Sequence, residues 1–192
     1  MTENRIILVP VAEGSEELEA VTIVDVLRRT GARVVLASVD KLQITASKGV
    51  KILADCLLSE CLEESYDLIV LPGGMPGAER LRDAKGLAAA LQRQKNEGRL
   101  YAAICSAPAV VLYPHGLLRG RRFTCHPSFA NLIKDAEPED KAAVVDGNLV
   151  TSRGAGTAVE FALTLIELLY GREKRNEVEQ GMAIDSHWYT YE

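Results

Sequence analysis

Short runs of consecutive apolar residues alternate along the chain with stretches in which apolar positions recur every three or four residues. Residues 5–12 (RIILVPVA) form the first run, rich in β-branched side chains and read as a strand. Residues 16–30 follow with helical spacing, where Leu18, Val21, Val24 (or Ile23) and Leu27 can share a buried face. Ser15 is the expected N-cap and Gly31 the expected stop. Residues 33–39, 67–71 (DLIVL) and 100–104 (LYAAI) are further buried-strand candidates, and residues 121–125 a short one. Residues 86–94 and 106–112 read as helices. Residues 142–146 and 148–152 flank Gly147 as a hairpin or tight connection. A strongly apolar helix is predicted over 157–170 and a charged one over 172–181.

Apolar strands separated by helices predict crossover connections and a mostly parallel sheet covered on both faces. No repeat, low-complexity tract or linker divides the 192 residues, so residues 1–192 are expected to form one α/β domain. In such sheets ligands bind beyond the carboxyl ends of the strands. Three strand ends carry unusual residues there: Pro72-Gly73-Gly74, Cys105-Ser106-Ala107-Pro108 and Cys125-His126-Pro127.

Composition narrows the partners. The 22 basic and 27 acidic side chains give a net charge of −5, which argues against a polyanionic partner such as nucleic acid. No apolar stretch approaches the roughly 20 residues of a membrane span. Cysteines 56, 61, 105 and 125 have no CxxC spacing, and a chain of this size needs no disulfide framework. A reducing cytoplasm is expected. The three histidines, His115, His126 and His187, lack ligand spacing, so no metal is expected.

Cys105 is the strongest candidate for chemistry. It leaves a strand directly and precedes small residues that open a helix, whose N-terminal N–H groups are expected to stabilise a thiolate and make the thiol acidic. Cys56 and Cys61 read as incidental. Cys125 points into the core on this reading, yet is the nearest candidate to resolve an oxidised Cys105. His126 is placed to move protons near neutral pH. Glu16 and Glu19 share one helix face towards the strand ends, whereas Glu17 points elsewhere and reads as a helix-end charge. A carboxyl beside the sulfur would have its pKa raised and could remain protonated. Backbone N–H groups of the Gly73-Gly74 turn and of Cys105 or Ser106 are candidates for an oxyanion hole. Gly154-Ala155-Gly156 lacks the third glycine of a dinucleotide fingerprint, and no phosphate loop occurs. Arg28 and Arg29 are either solvated or bridge a partner subunit. Trp188, Tyr189 and Tyr191 crowd the C-terminus, and are expected to pack on the chain's own fold, on a partner subunit or as a binding handle.

The segments VAEGSEELEAV, DLIVLPGG, AAICSAP, FTCHP and LVTSRGAGTAVEFAL, in this order, resemble the ThiJ/PfpI superfamily, and within it the parkinsonism-associated deglycase branch and its close bacterial members. The resemblance implies a flavodoxin-like three-layer sandwich and a homodimer. By position it assigns Cys105 as the reactive, oxidation-sensitive cysteine, Glu19 as the carboxyl on its sulfur, Glu16 as a pocket-rim residue and His126 as the neighbouring histidine. Gly74 and Ser106 would present backbone N–H groups, and Arg28 and Arg29 would lie at the subunit contact. Ala107 replaces a residue that is often glycine, Ala155 stands where many members carry proline, and Leu53 takes the place of an interface cysteine. The implied activity is a cofactor-independent conversion of 2-oxoaldehydes such as methylglyoxal and glyoxal, extended to early glycation adducts. The alternatives are an oxidative-stress sensor or chaperone built on the same cysteine, and, less favoured, a cysteine peptidase or amidase.

Overall fold

The computed structural model describes residues 5–184, so His187, Trp188, Tyr189 and Tyr191 lie outside the described residues. Seven strands form one sheet in the order β5-β2-β1-β6-β7-β9-β8. They are β1 (Ile6–Val11), β2 (Arg33–Ser38), β5 (Cys56–Leu57), β6 (Leu68–Leu71), β7 (Leu100–Ile104), β8 (Ala143–Asp146) and β9 (Leu149–Ser152). All neighbours pair in parallel except β8 and β9, the hairpin around Gly147. β3 (Gln43–Thr45) and β4 (Lys51–Leu53) make a separate antiparallel pair.

Each strand feeds two cores because successive side chains point to opposite faces. Ile7, Val9 and Val11 of β1 join one layer with Ile23 and Leu27 of α1 (Glu17–Arg28) and Phe161, Leu165 and Ile166 of α5 (Ala158–Tyr170). Leu8 of β1, Ile69 of β6 and Tyr101 of β7 face the other layer. That layer holds α2 (Leu58–Cys61), α3 (Gly77–Asp83), α4 (Leu87–Asn96) and a π-helical turn over Pro108–Leu112. α6 (Arg172–Gly181) docks on α5, where Arg175 meets Glu160, Glu167 and Glu179 at 3.0 Å each. The result is the mostly parallel sheet covered on both faces that the alternation predicts, arranged as the three-layer, flavodoxin-like α/β sandwich that the resemblance implies.

Four local readings change. Ser15 does not cap α1: Glu16 stands at the N-cap, and the buried Ser15 hydroxyl turns back to accept from Ala12 N–H at 3.0 Å. Leu18 and Val21 are about half exposed, and the buried face instead runs through Ala20, Ile23, Val24 and Leu27. Residues 121–125 form no strand; Thr124 N–H is satisfied by the Thr151 hydroxyl at 2.9 Å, a side-chain contact in place of a ladder. The helix expected from Ser106 is a π turn, closed by Tyr113 N–H to Pro108 O at 2.9 Å.

The loops leaving β1 and β6 are locked together by close backbone approach. A β-carbon on Gly77 would lie 2.3 Å from Ser15 N, and one on Gly74, whose φ is +90°, would lie 2.3 Å from Glu16 N. Glu16 N–H in turn donates to Gly73 O at 2.9 Å. Only residues without a side chain allow this contact. Gly77→Ala is therefore expected to lower unfolding free energy by about 3 kcal/mol, and Tm by roughly 6–12 °C in a chain of this size. Gly181→Ala, which meets open space at the end of α6, should leave Tm unchanged or slightly raised in the same thermal scans.

Candidate active site

The strand order reverses at β1, whose neighbours β2 and β6 carry the chain to opposite sides. Such a switch point opens a crevice at the carboxyl ends of the strands. A cavity of about 740 Å³ lies there, and Cys105, Glu19, His126, Gly74, Ser106 and Glu16 all line it. Sequence elements 16–19, 74, 105–106 and 126 are thus brought to one place by the parallel sheet.

Cys105 is set apart by its backbone. Along β7, Tyr101 and Ala103 enter one core layer, and Ala102 and Ile104 the other. Strict alternation would send Cys105 to the side of Tyr101, but its φ of +64° turns it against the α1–α5 layer. A non-glycine residue in this left-handed region is costly and is held only by its surroundings. Cys105 N–H donates to Ser152 O at 3.0 Å, and Cys105 O accepts from His126 N–H at 2.8 Å. Gly73 gives the sulfur room, since a β-carbon there would sit 2.8 Å from Cys105 Cβ.

Glu19 is fully buried. Its Oε2 accepts from Gly73 N–H at 2.7 Å. Its Oε1 is buried without a hydrogen-bond partner, and the carboxyl lies beside the Cys105 thiol, close enough that each shifts the other's titration. Burial pushes the Glu19 carboxyl up to about 7, with Glu16 adding to the rise and the contacts from Gly73 and Cys105 opposing it. Burial, followed by the Glu19 charge and hydrogen bond, pushes the Cys105 thiol up to about 12; the backbone N–H groups of Ser106 and Gly74 pull it back. The expectation of an acidic thiol is thus overturned. Desolvation and a neighbouring carboxylate outweigh two amide donors. The two groups titrate as a pair, which carries one negative charge and one proton above about pH 7.

His126 is half-buried. Its Nδ1 accepts from Ser128 N–H at 3.2 Å, which assigns the proton of the neutral ring to Nε2, and the ring stands edge-on to Phe129 at 5.9 Å. Glu16 accepts from the Ser47 hydroxyl at 2.5 Å on the opposite rim. Glu17 is not merely a helix-end charge: it is nearly buried and binds the turn at residues 47–50. Ser47, Lys48, Phe129 and Arg153 also line the cavity and were not singled out in the sequence; the Ser47-Lys48-Gly49 turn was the one available signal. Gly154, Ala155 and Gly156 contribute cavity wall, ahead of α5.

Other candidates lie elsewhere. Cys125 is buried in the layer of Tyr101 and Phe123, across the sheet from the layer that Cys105 packs against, so it does not present its sulfur to Cys105. Cys61 is buried at the end of α2, and Cys56 is half-buried beside it. His115 Nε2 contacts Arg82 O at 3.0 Å, outside the cavity lining. Arg28 is held by Val34 O and Asp55, and Arg29 by Asp25, on the exposed face of α1. Among the described residues no cluster of three or more metal-ligating side chains occurs, and no helix is long and apolar enough to cross a membrane.

Comparison with known proteins fits this geometry. The chain is 50% identical over 179 residues to Protein DJ-1 homolog B of Arabidopsis thaliana, covering 93% of this chain and 41% of that one. It thus spans about two fifths of the length of this plant relative. It is 35% identical over 188 residues to a Caenorhabditis elegans protein named a glutathione-independent glyoxalase, covering 95% of this chain and 97% of the other. Its fold superposes on oxidised DJ-1 of Toxoplasma gondii with a TM-score of 0.90 and 47% identity, over 93% and 98% of the two chains. The family model described as DJ-1/PfpI family matches residues 5–168, and the chain belongs to that family.

Proposed function

We propose that this protein is a cofactor-independent glyoxalase and deglycase that converts 2-oxoaldehydes, such as methylglyoxal, to 2-hydroxy acids. The observation that carries this reading is the buried Cys105–Glu19 pair with one proton between them, open to the cavity through a half-buried sulfur. The nematode relative's name supports the reaction class.

The chemistry follows from the pair. Above about pH 7 the proton sits on sulfur and the charge on Glu19, so Glu19 takes the thiol proton as substrate enters, and the Ser106 and Gly74 N–H groups stabilise the thiolate that forms. Cys105 Sγ adds to the aldehyde carbon and gives a hemithioacetal, and the charge passes to the former carbonyl oxygen. The two N–H groups, released from the sulfur, steady that oxygen. Glu19 gives its proton to that oxygen; the carboxylate so restored carries the proton of the aldehyde carbon to the neighbouring carbon while the hydroxyl proton passes to the second oxygen, which turns the adduct into a 2-hydroxyacyl thioester. His126 Nε2–H supports the second oxygen. Water cleaves the thioester, returning the thiol and releasing lactate from methylglyoxal. A hemithioacetal or aminocarbinol on a glycated protein would enter the same sequence once its carrier leaves as the protonated thiol or amine and restores the aldehyde carbon to which Cys105 adds. We read residues 1–192 as one catalytic domain, needing no metal or cofactor and working in the cytoplasm. The sensor reading draws support from the Toxoplasma gondii relative, which was solved in an oxidised form. A peptidase reading fits poorly, because the buried acid adjoins sulfur and does not orient His126.

We also propose a homodimer across α1 and the β3–β4 hairpin. Leu18, Val21, Val50 and Leu53 expose 51%, 52%, 51% and 70% of their surface. A groove of about 500 Å³, lined by Val21, Val24, Leu36 and Ile52, has Arg28 and Arg29 at its edge. Burying such an apolar face is the ordinary driving force for subunit contact. Leu53→Glu is expected to shift sedimentation velocity profiles from dimer to monomer at micromolar protein; an unchanged profile assigns the contact to another face.

Turnover and pH test the chemistry. Lactate release from methylglyoxal without glutathione should vanish in Cys105→Ser and fall at least about 100-fold in Glu19→Gln; activity surviving in Cys105→Ser would end the proposal. In the wild type, kcat/KM should rise as pH increases through about 7, where the pair loses its first proton.

Stability runs the other way. Glu19 is protonated more readily in the folded than in the unfolded chain, so its ionisation opposes folding. The stability gained by keeping it protonated is fully present below about pH 4.5 and is lost as pH rises through about 7, a loss of roughly 3 kcal/mol. Glu19→Gln should therefore melt higher than the wild type at pH 8, and the difference should disappear near pH 4.

A further inference from the structure

Glu17 lies on the same turn of α1 as Glu19 but faces away from the sulfur. Its Oε1 accepts from Lys48 N–H at 2.9 Å and Val50 N–H at 3.3 Å, and its Oε2 from Lys48 N–H at 3.0 Å and the Ser47 hydroxyl at 3.1 Å. Partial burial pushes this carboxyl up, but hydrogen bonds from its own backbone, Lys48, Val50 and Ser47 prevail and hold it below the ordinary carboxylate value. It is an anchored anion.

What it anchors is the turn joining β3 to β4. That turn is closed by Ala46 N–H to Val50 O at 2.8 Å, and Gly49 takes a φ of +93°. Its strands are only three residues long and pair only with each other. A two-stranded ribbon of this size is marginal alone. Ile44 and Ile52 pin its body to the core, while the tip is tied to the core by Ser47 N–H to Ser15 O at 2.9 Å and by Glu17. The tip then supplies Ser47 and Lys48 to the cavity, where the single Ser47 hydroxyl proton is shared between Glu16 at 2.5 Å and Glu17 at 3.1 Å.

The cavity of about 740 Å³ is far larger than methylglyoxal needs. The space on the Ser47–Lys48 side fits the carrier part of an adduct, with Lys48 offering a cation. We propose that Glu17 is a positioning residue, which holds the 47–50 turn as the wall that recognises the carrier of a bulky, anionic aldehyde adduct. This deepens the glyoxalase and deglycase reading and rests on it.

The test compares methylglyoxal with its hemithioacetal on N-acetylcysteine, a carrier bearing a carboxylate. In Glu17→Ala, kcat/KM for the adduct relative to methylglyoxal is expected to fall about tenfold, chiefly through KM, while the rise of activity with pH stays centred near 7. Trypsin should cut after Lys48 at least ten times faster than in the wild type. Glu17→Gln keeps a carbonyl for Lys48 N–H and should show the same changes at smaller size, which covers an alanine variant that fails to fold. Labelling of Cys105 by a bulky maleimide relative to iodoacetamide, read on its own peptide by mass, reports the wall without turnover and should rise in both variants. A turn that stays resistant to trypsin, or one that loosens with no change in substrate preference, overturns the proposal. Loss of wild-type turnover with a loosened wall and altered labelling would instead reject the glyoxalase reading and keep Glu17 as the holder of the turn.

Discussion

One proton shared between a buried carboxyl and a half-buried sulfur is the constraint around which this molecule is arranged. Neither Cys105 nor Glu19 would be comfortable alone: each loses solvation, and together they repel once both are ionised. The fold answers by surrounding the pair with backbone N–H groups from two loops, Gly73 and Gly74 on one side and Ser106 on the other. Backbone donors suit this task because they are fixed in direction and do not titrate. The glycines that lock the β1 and β6 loops are therefore part of the chemistry, since they set where those donors point.

A parallel sheet makes the assembly possible. Its strand ends all face one way, so residues far apart in sequence arrive at one crevice without a dedicated scaffold. The left-handed Cys105 shows the cost. The residue at the end of β7 gives up the side to which alternation would have sent it, and the backbone hydrogen bonds to Ser152 and His126 hold that geometry. Strain of this kind persists where function selects it.

The central strands were legible in the sequence because burial on both faces leaves unbroken apolar runs, as in residues 5–12 and 67–71. The cavity residues Cys105, Glu19, His126, Gly74, Ser106 and Glu16 were legible too, because strand ends concentrate chemistry and the motif order is specific. What stayed hidden has physical reasons. Leu18 and Val21 fit a helical stripe, yet the stripe that packs is rotated towards Ala20 and Ile23. Strands β3 and β4 are too short for alternation to register. The direction of the Cys105 shift depends on how deeply Glu19 is buried, which no spacing rule reveals. The task of Glu17 depends on a turn some 30 residues away.

The interlock of Gly74 and Gly77 with Ser15 and Glu16 has a wider consequence. Because the loops it joins come from strands 60 residues apart in sequence, the surroundings of Cys105 are complete only once β1 and β6 lie side by side. A chain in which those strands are apart carries Cys105 as an ordinary thiol, without the buried carboxyl and the amide donors that set it apart.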